Sequence, residues 1–214
     1  MAIIRTKFNI SVLGEGDVGK TTLISVYSGK EFDFNTLKTV GIDNYFFNEK
    51  FDGQDYKFKV FDTAGQERYK SISNSTIRLA DGFLLVFSVD NRNSFKLINQ
   101  WLTTISSSCD ISQKVVFLVG NKIDIKERVV SNEEAVTYAK TKNLSYYETS
   151  AKSGFGVKDT FKKLFYTFYT LYQKSKEIDN DNEPNNINNV NKQTAPIQLD
   201  KKHFSKKERK KCHC

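Results

Sequence analysis

The sequence predicts a single α/β domain: a six-stranded, mostly parallel sheet with one antiparallel edge strand and helices on both faces. Three observations predict it. Strand-like and helix-like segments alternate from residue 7 to residue 173, the order that lays parallel strands side by side with crossover helices between them. Phe83–Val89 and Val115–Gly120 are short apolar runs, as in strands buried on both faces. Two aromatic-rich segments, 44–51 and 56–62, meet through Asp52-Gly53, a hairpin signal that supplies the antiparallel edge.

The elements follow in order. Residues 7–13 read as a buried strand, then a Gly-rich turn leads into a helix from about Lys20. After the hairpin and the strand at 83–89, residues 94–107 carry Phe95, Ile98, Trp101, Leu102 and Ile105 at helical spacing. Ser131 opens another helix, and Glu134 three residues on suggests a capping box. Residues 144–147 read as the last strand. Val157, Phe161, Leu164, Phe165, Phe168 and Leu171 then define a long amphipathic helix over 157–173. Near Lys174 the composition changes: residues 179–191 contain seven Asn and few apolar side chains. Such a stretch cannot bury enough surface to offset its ordering entropy. The expected division is a folded domain over 1–174 and a disordered tail over 175–214.

Composition excludes several classes. The chain has 214 residues, 38% of them hydrophobic, enough for one packed core. No apolar run approaches the roughly 20 residues of a spanning helix, and the N-terminal Met1-Ala2-Ile3-Ile4-Arg5 is too short and mixed for a secretory signal. Three cysteines, Cys109, Cys212 and Cys214, do not make a secreted disulfide framework. The net charge is +8, but residues 201–211 hold seven Lys/Arg against one Glu, so the rest of the chain is only about +2. Positive charge is a property of the tail. A nucleic-acid site would be expected to interleave stacking aromatics, and this run offers only Phe204; no nucleic-acid partner is expected.

Four segments carry chemistry. Gly14-Glu15-Gly16-Asp17-Val18-Gly19-Lys20-Thr21 fits G-x-x-x-x-G-K-[ST] between a strand and a helix, the arrangement of a P-loop nucleoside triphosphatase fold. The glycines let successive N–H groups point at one phosphate, and the helix N-terminus adds its dipole. Lys20 supplies charge for the β- and γ-phosphates, and the Thr21 hydroxyl can ligate Mg²⁺. Asp62 at the end of strand 56–62 can hold the same ion; in the segment it opens, Asp62-Thr63-Ala64-Gly65-Gln66-Glu67, the Gly65 N–H can approach the γ-phosphate and Gln66 can orient water. In Asn121-Lys122-Ile123-Asp124, the Asp124 carboxylate can accept two parallel hydrogen bonds from guanine, whereas adenine lacks that pair of donors. In Glu148-Thr149-Ser150-Ala151-Lys152, the Ala151 N–H can donate to guanine O6.

This ordered set resembles the Ras superfamily of small GTPases across about residues 7–173, and the run Lys57–Tyr69 with the terminal Cys-His-Cys is most similar to the Rab family. The resemblance implies a slow GTP-hydrolysing switch with bound GTP or GDP and Mg²⁺, the nucleotide contacts extending over Gly14, Gly16, Asp17, Val18, Gly19, Lys20, Thr21 and Thr22. It implies that Thr39 joins Thr21 and Asp62 around the metal and senses the γ-phosphate. Phe32 would pack on the base, Lys122 and Lys152 would flank it beside Asn121 and Ser150, and Gln66 would be the catalytic glutamine. Two loops, about 32–47 and 62–77, would change order with the nucleotide. Asn44, Phe61 and Thr76 stand where the family carries an aromatic effector-reading triad. Asp17 stands where it mostly has a small uncharged residue.

Cys212 and Cys214 resemble a double geranylgeranylation signal. Two lipid chains, or one chain and a basic patch, give stable anchoring. The resemblance implies a monomer on the cytoplasmic face of an intracellular membrane, cycling with the cytosol in vesicle traffic. Its implied partners are an exchange factor, a GTPase-activating protein, a GDP dissociation inhibitor, a prenyltransferase with its escort protein, and effectors. The alternatives are a soluble Ran-like transport GTPase, disfavoured by the basic prenyl-type tail, and a constitutively GTP-bound adaptor, disfavoured by Gln66 and Thr39.

Overall fold

The computed structural model describes residues 6–33, 39, 41–63 and 70–181, with the backbone alone for 70–74 and 178–181. Six strands, β1 (Lys7–Leu13), β2 (Ile42–Phe51), β3 (Gln54–Thr63), β4 (Gly82–Ser88), β5 (Val115–Asn121) and β6 (Ser145–Glu148), lie in the order β2-β3-β1-β4-β5-β6. All neighbours are parallel except β2 and β3. The expected hairpin is present. Asp52 and Gly53 both have positive φ, the turn whose twist matches its flanking strands.

Around the sheet are α1 (Lys20–Tyr27), α2 (Lys70–Leu79), α3 (Arg92–Lys96), α4 (Ile98–Ser108), α5 (Asn132–Thr141) and α6 (Val157–Asp181). The helix expected over 94–107 is two, parted at Leu97. Asn91 caps the first by accepting from the Ser94 N–H at 3.0 Å. Ser131 caps α5 by accepting from the Glu134 N–H at 3.1 Å, but the Glu134 carboxylate pairs with Arg92, so the box is half made. Two expectations need correction. Helix α6 runs to Asp181, seven residues past the expected boundary at 174, so 175–181 are helical and not part of a disordered tail. The loop expected at 32–47 gives way to strand at Ile42, and that at 62–77 begins in the end of β3 and runs into α2 from Lys70.

Two apolar clusters flank the sheet. One sets β1, β3 and β5 against α1 and α6 and is rich in rings: Phe165 stacks on Phe58 with centroids 4.1 Å apart, and Tyr27 stacks on Phe161 at 4.5 Å. Such pairs add about 0.5–1.5 kcal/mol beyond their buried area. The other sets β4 and β5 against α3, α4 and α5. Strand order reverses about β1, with β3 on one side and β4 on the other. The crevice beyond the carboxyl end of β1 is therefore the topological switch point, where open α/β sheets bind ligands.

Candidate guanine-nucleotide site

The turn between β1 and α1 fills that crevice. Gly19 caps α1 with φ +92, and a Cβ there would sit 2.5 Å from Asn121 Nδ2. Gly14 has φ +150, and a Cβ would sit 2.1 Å from the Val86 carbonyl oxygen. The loop's tight approach to β4 and β5 therefore requires glycine at both positions. A Cβ at Gly16 would meet nothing within 4 Å. Val18 is buried beneath the loop, while Asp17 is exposed with φ +61, a left-handed backbone costly for a non-glycine residue. Thr22 is half-buried on α1.

Lys20 is buried, and its ammonium donates to the carbonyls of Gly14 (3.0 Å) and Glu15 (2.8 Å). Burial lowers its pKa to about 8, outweighing the attraction of Asp62, Glu15 and Asp17. A bound phosphate would restore the proton. Above about pH 8 the empty protein must take up a proton to bind phosphate, so nucleotide affinity is expected to fall by up to about tenfold per pH unit. Calorimetric titration of GDP at pH 7, 8 and 9 in buffers of differing ionisation heat checks this; equal affinity with no proton uptake would remove Lys20 from the phosphates.

Three oxygens meet beside it. The Thr21 hydroxyl donates to Asp62 Oδ2 at 2.6 Å, lies 2.7 Å from the Thr39 hydroxyl, and Thr39 reaches the same Asp62 oxygen at 3.3 Å. Thr39 comes from the segment before β2, Asp62 from β3 and Thr21 from α1. Among the described residues Asp62 Oδ1 is buried without a hydrogen-bond partner, and burial raises the carboxyl's pKa despite Thr21, Lys20 and Thr39. An orphaned carboxylate oxygen beside two hydroxyls is a hard-oxygen donor set, and it fits Mg²⁺.

The segments expected to read the base follow β5 and β6. Asp124 is exposed, and its Oδ1 accepts from the Ser150 hydroxyl at 2.5 Å, which in turn accepts from the Ser153 N–H. Lys122 has φ +66 and is half-buried, whereas Lys152 is exposed. Asn121 and Ala151 are bonded to each other. Asn121 is buried: its Nδ2 donates to the Val18 carbonyl at 2.9 Å, and its Oδ1 accepts from Thr149 Oγ1 (3.1 Å) and the Ala151 N–H (3.2 Å). Its amide ties three loops together, and one of its partners is the Ala151 N–H, the group expected to meet guanine O6. Phe32 is half-buried against the α1–α6 cluster. Gly65, Gln66, Cys212 and Cys214 lie outside the described residues.

Sequence reasoning missed a node behind the base loops. Glu148, ending β6, accepts from Arg128 and from Tyr146 (2.9 Å). Burial pushes its carboxyl up, but hydrogen bonds from Arg128, Asn132 and Tyr146 hold it below the usual range. The signal was Arg128 seven residues beyond Asn121. It also missed that Phe61 and Thr76 are buried, Thr76 against Ser11 (3.1 Å); of the three triad positions, Asn44 alone is exposed.

A phosphate loop at the switch point, a hard-oxygen cluster beside it and a carboxylate on the next strand-end loop define a guanine-nucleotide-binding P-loop domain. The model of the Ras family matches residues 9–170. The chain is 35% identical over 159 residues to Ras-related protein Rab-18 of Caenorhabditis elegans, covering 74% of this chain and 78% of that protein. To Ras-related protein Rab-18-B of Danio rerio it is 34% identical over 161 residues, covering 75% and 78%. The chain belongs to the Ras family. It is a Rab-type small GTPase, a switch of membrane traffic that binds GTP and GDP and converts GTP and water to GDP and phosphate.

Proposed function

We propose that Thr39 is the sensing element of the switch, and the observation carrying this is the Thr21–Thr39–Asp62 cluster. In this reading the loop from Gly14 to Thr22 cradles the phosphates. Asp124, Ser150 and the stems of Lys122 and Lys152 grip guanine, Asn121 and Ala151 brace the grip, and Phe32 closes it. Mg²⁺, held by Thr21, Thr39 and Asp62, would neutralise the β- and γ-phosphate oxygens. Gln66 orients a water in line with the γ-phosphorus. The water's oxygen bonds to phosphorus as the bond to the β–γ bridging oxygen breaks. GDP carries away that electron pair, and the water's proton passes to the phosphate. Lys20 balances charge on the leaving side. Loss of the γ-phosphate releases Thr39 and Gly65.

Gln66→Leu is expected to bind GTP normally and hydrolyse it at least about tenfold more slowly, about 1.4 kcal/mol of barrier. Single-turnover phosphate release measures it, and an unchanged rate would place water positioning elsewhere.

The division into a GTPase domain and a basic tail remains part of this reading, the domain now extended through the helical residues to Asp181. Among the described residues no helix is long and apolar enough to cross a membrane. The tail's cysteines, Cys212 and Cys214, would carry two geranylgeranyl groups added by a prenyltransferase with its escort protein. A GDP dissociation inhibitor would extract the lipidated chain from the cytoplasmic face of an intracellular membrane, and an exchange factor, an activating protein and effectors would run the cycle on a monomer. Replacing both cysteines by serine is expected to move the protein from the membrane pellet to the supernatant of fractionated cells. Continued pelleting would rule the lipid anchor out.

A further inference from the structure

In the guanine reading the Asp124 carboxylate accepts two parallel hydrogen bonds, which demands a fixed spacing between its loop and the one after β6. The segment 121–128 is pinned at both ends to the same short stretch, 148–151. At its start Asn121 Oδ1 accepts from Thr149 Oγ1 and the Ala151 N–H, and the Ile123 N–H donates to the Thr149 carbonyl at 3.2 Å. At its far end the Arg128 guanidinium donates to Glu148 Oε1. Asp124 stands between the two pins, four residues before Arg128, and Glu148 stands two before Ser150. Held only at its start, such a loop would keep backbone freedom at Asp124; the second pin removes it.

A fully exposed ion pair would fix little. Here the Arg128 and Glu148 side chains are 27% and 21% exposed, and each makes a second bond. Arg128 Nε donates to the Val130 carbonyl, and Glu148 accepts from the Tyr146 hydroxyl at 2.9 Å. The N–H groups of Val129 and Val130 both donate to the Val89 carbonyl, at 2.9 and 3.0 Å, and the Val89 N–H donates to the Asn121 carbonyl at 3.0 Å. The far pin is thus tied back to the near one. Arginine's planar fork reaches Glu148 and Val130 at once, whereas a lysine ammonium is a point charge on a flexible stem. A second pair on the same loop, Arg92 with Glu134, is 42% and 41% exposed, and Arg92 also donates to the Val129 carbonyl, outside the pinned segment.

We propose that Arg128 is a positioning residue for guanine: by joining Glu148 to the Val130 carbonyl it sets the spacing at which Asp124 faces the base. It thereby governs how strongly guanine is preferred over a purine that lacks the 2-amino group. Hydrogen bonds weaken steeply off line, so a loop free to swing loses one of its two parallel bonds first. Arg128 acts through the loop and not by touching the nucleotide. The proposal deepens the guanine reading of this site and rests on it.

The test uses the full chain loaded with a fluorescent GDP analogue, which GDP, IDP or ADP then displaces. IDP lacks the 2-amino group, so the ratio of GDP to IDP affinity reports the aim of Asp124. In the unsubstituted chain that ratio should be about tenfold or more. Arg128→Ala should bring it toward unity and speed GDP release by about tenfold. Chelating Mg²⁺ should still accelerate release by the same factor as in the unsubstituted chain, since Thr21 and Asp62 lie on α1 and β3. Arg128→Lys keeps the charge but not the fork and should fall between; it is the variant to read if the alanine variant melts below the assay temperature. Arg92→Ala should leave the ratio unchanged. An unchanged ratio in the folded Arg128 variants, equal acceleration of GDP and IDP release, or an equal loss of the ratio in Arg92→Ala would overturn the proposal. Equal binding of GDP and ADP by the unsubstituted chain would overturn the guanine reading itself, whereas discrimination preserved in every variant would overturn only the role of Arg128.

Discussion

Asp124→Asn is expected to weaken GTP by about a hundredfold and to create affinity for xanthosine nucleotides. An ionised carboxylate that accepts from guanine N1–H and the 2-amino group makes two charge-assisted bonds, each of about 1.5–3 kcal/mol. Losing them costs on the order of 3 kcal/mol, and about 1.4 kcal/mol is a factor of ten. Xanthine carries a carbonyl where guanine has its amino group, so an amide donor at position 124 restores the lost bond. The bond from the Ser150 hydroxyl to Asp124 Oδ1 fixes the carboxylate's direction, so the substitution changes chemistry more than geometry. Competition by GTP, XTP and ATP against a fluorescent GDP analogue gives the three affinities. Comparable binding of ATP and GTP by the unsubstituted protein would remove Asp124 as the base reader.

Asp62→Ala is expected to make nucleotide release indifferent to chelation of Mg²⁺. In the unsubstituted protein EDTA should speed GDP release by on the order of a hundredfold, about 2.7 kcal/mol of release barrier. Among the described residues Asp62 Oδ1 has no hydrogen-bond partner. A buried carboxylate oxygen with no donor carries a desolvation cost that a cation would offset. Alanine removes the oxygen and, with it, the acceptor shared by Thr21 and Thr39. Stopped-flow release with and without EDTA reads the effect, and a melting curve shows whether the fold survives. A chelator response as large as that of the unsubstituted chain would leave Asp62 without a metal.

The sheet was legible because its causes are local. Apolar runs at Phe83–Val89 and Val115–Gly120, and the turn chemistry of Asp52-Gly53, each leave a mark in a few consecutive residues. The phosphate loop was legible for the same reason: glycine spacing records a backbone shape. The division at Leu97 left no such mark, since its backbone is itself helical. The end of α6 lies beyond the expected boundary because Ser, Asp and Asn lower helix propensity without forbidding a helix already nucleated by a buried aromatic face. In the site, residue types were readable but their partners were not. Residue type marks Asn121 as a candidate nucleotide contact, but its bonds to Val18, Thr149 and Ala151 exist only once the chain has folded. Arg128, Tyr146 and Glu148 meet only once β5 and β6 lie side by side. Period-2 alternation showed that β2 has two faces, but not which one the helices leave open.

The Asn121 amide gives the nucleotide site an arithmetic of its own. One side chain fastens the phosphate loop at Val18 and the base loop at Thr149 and Ala151, while its backbone ends the strand that leads to Asp124. Free energies measured by changing one loop at a time will not sum, because each change also alters what the shared amide can give the other two. The deficit in a double variant measures the coupling directly. Energetically the three loops answer a substitution as one unit, although some 130 residues of chain lie between Val18 and Ala151.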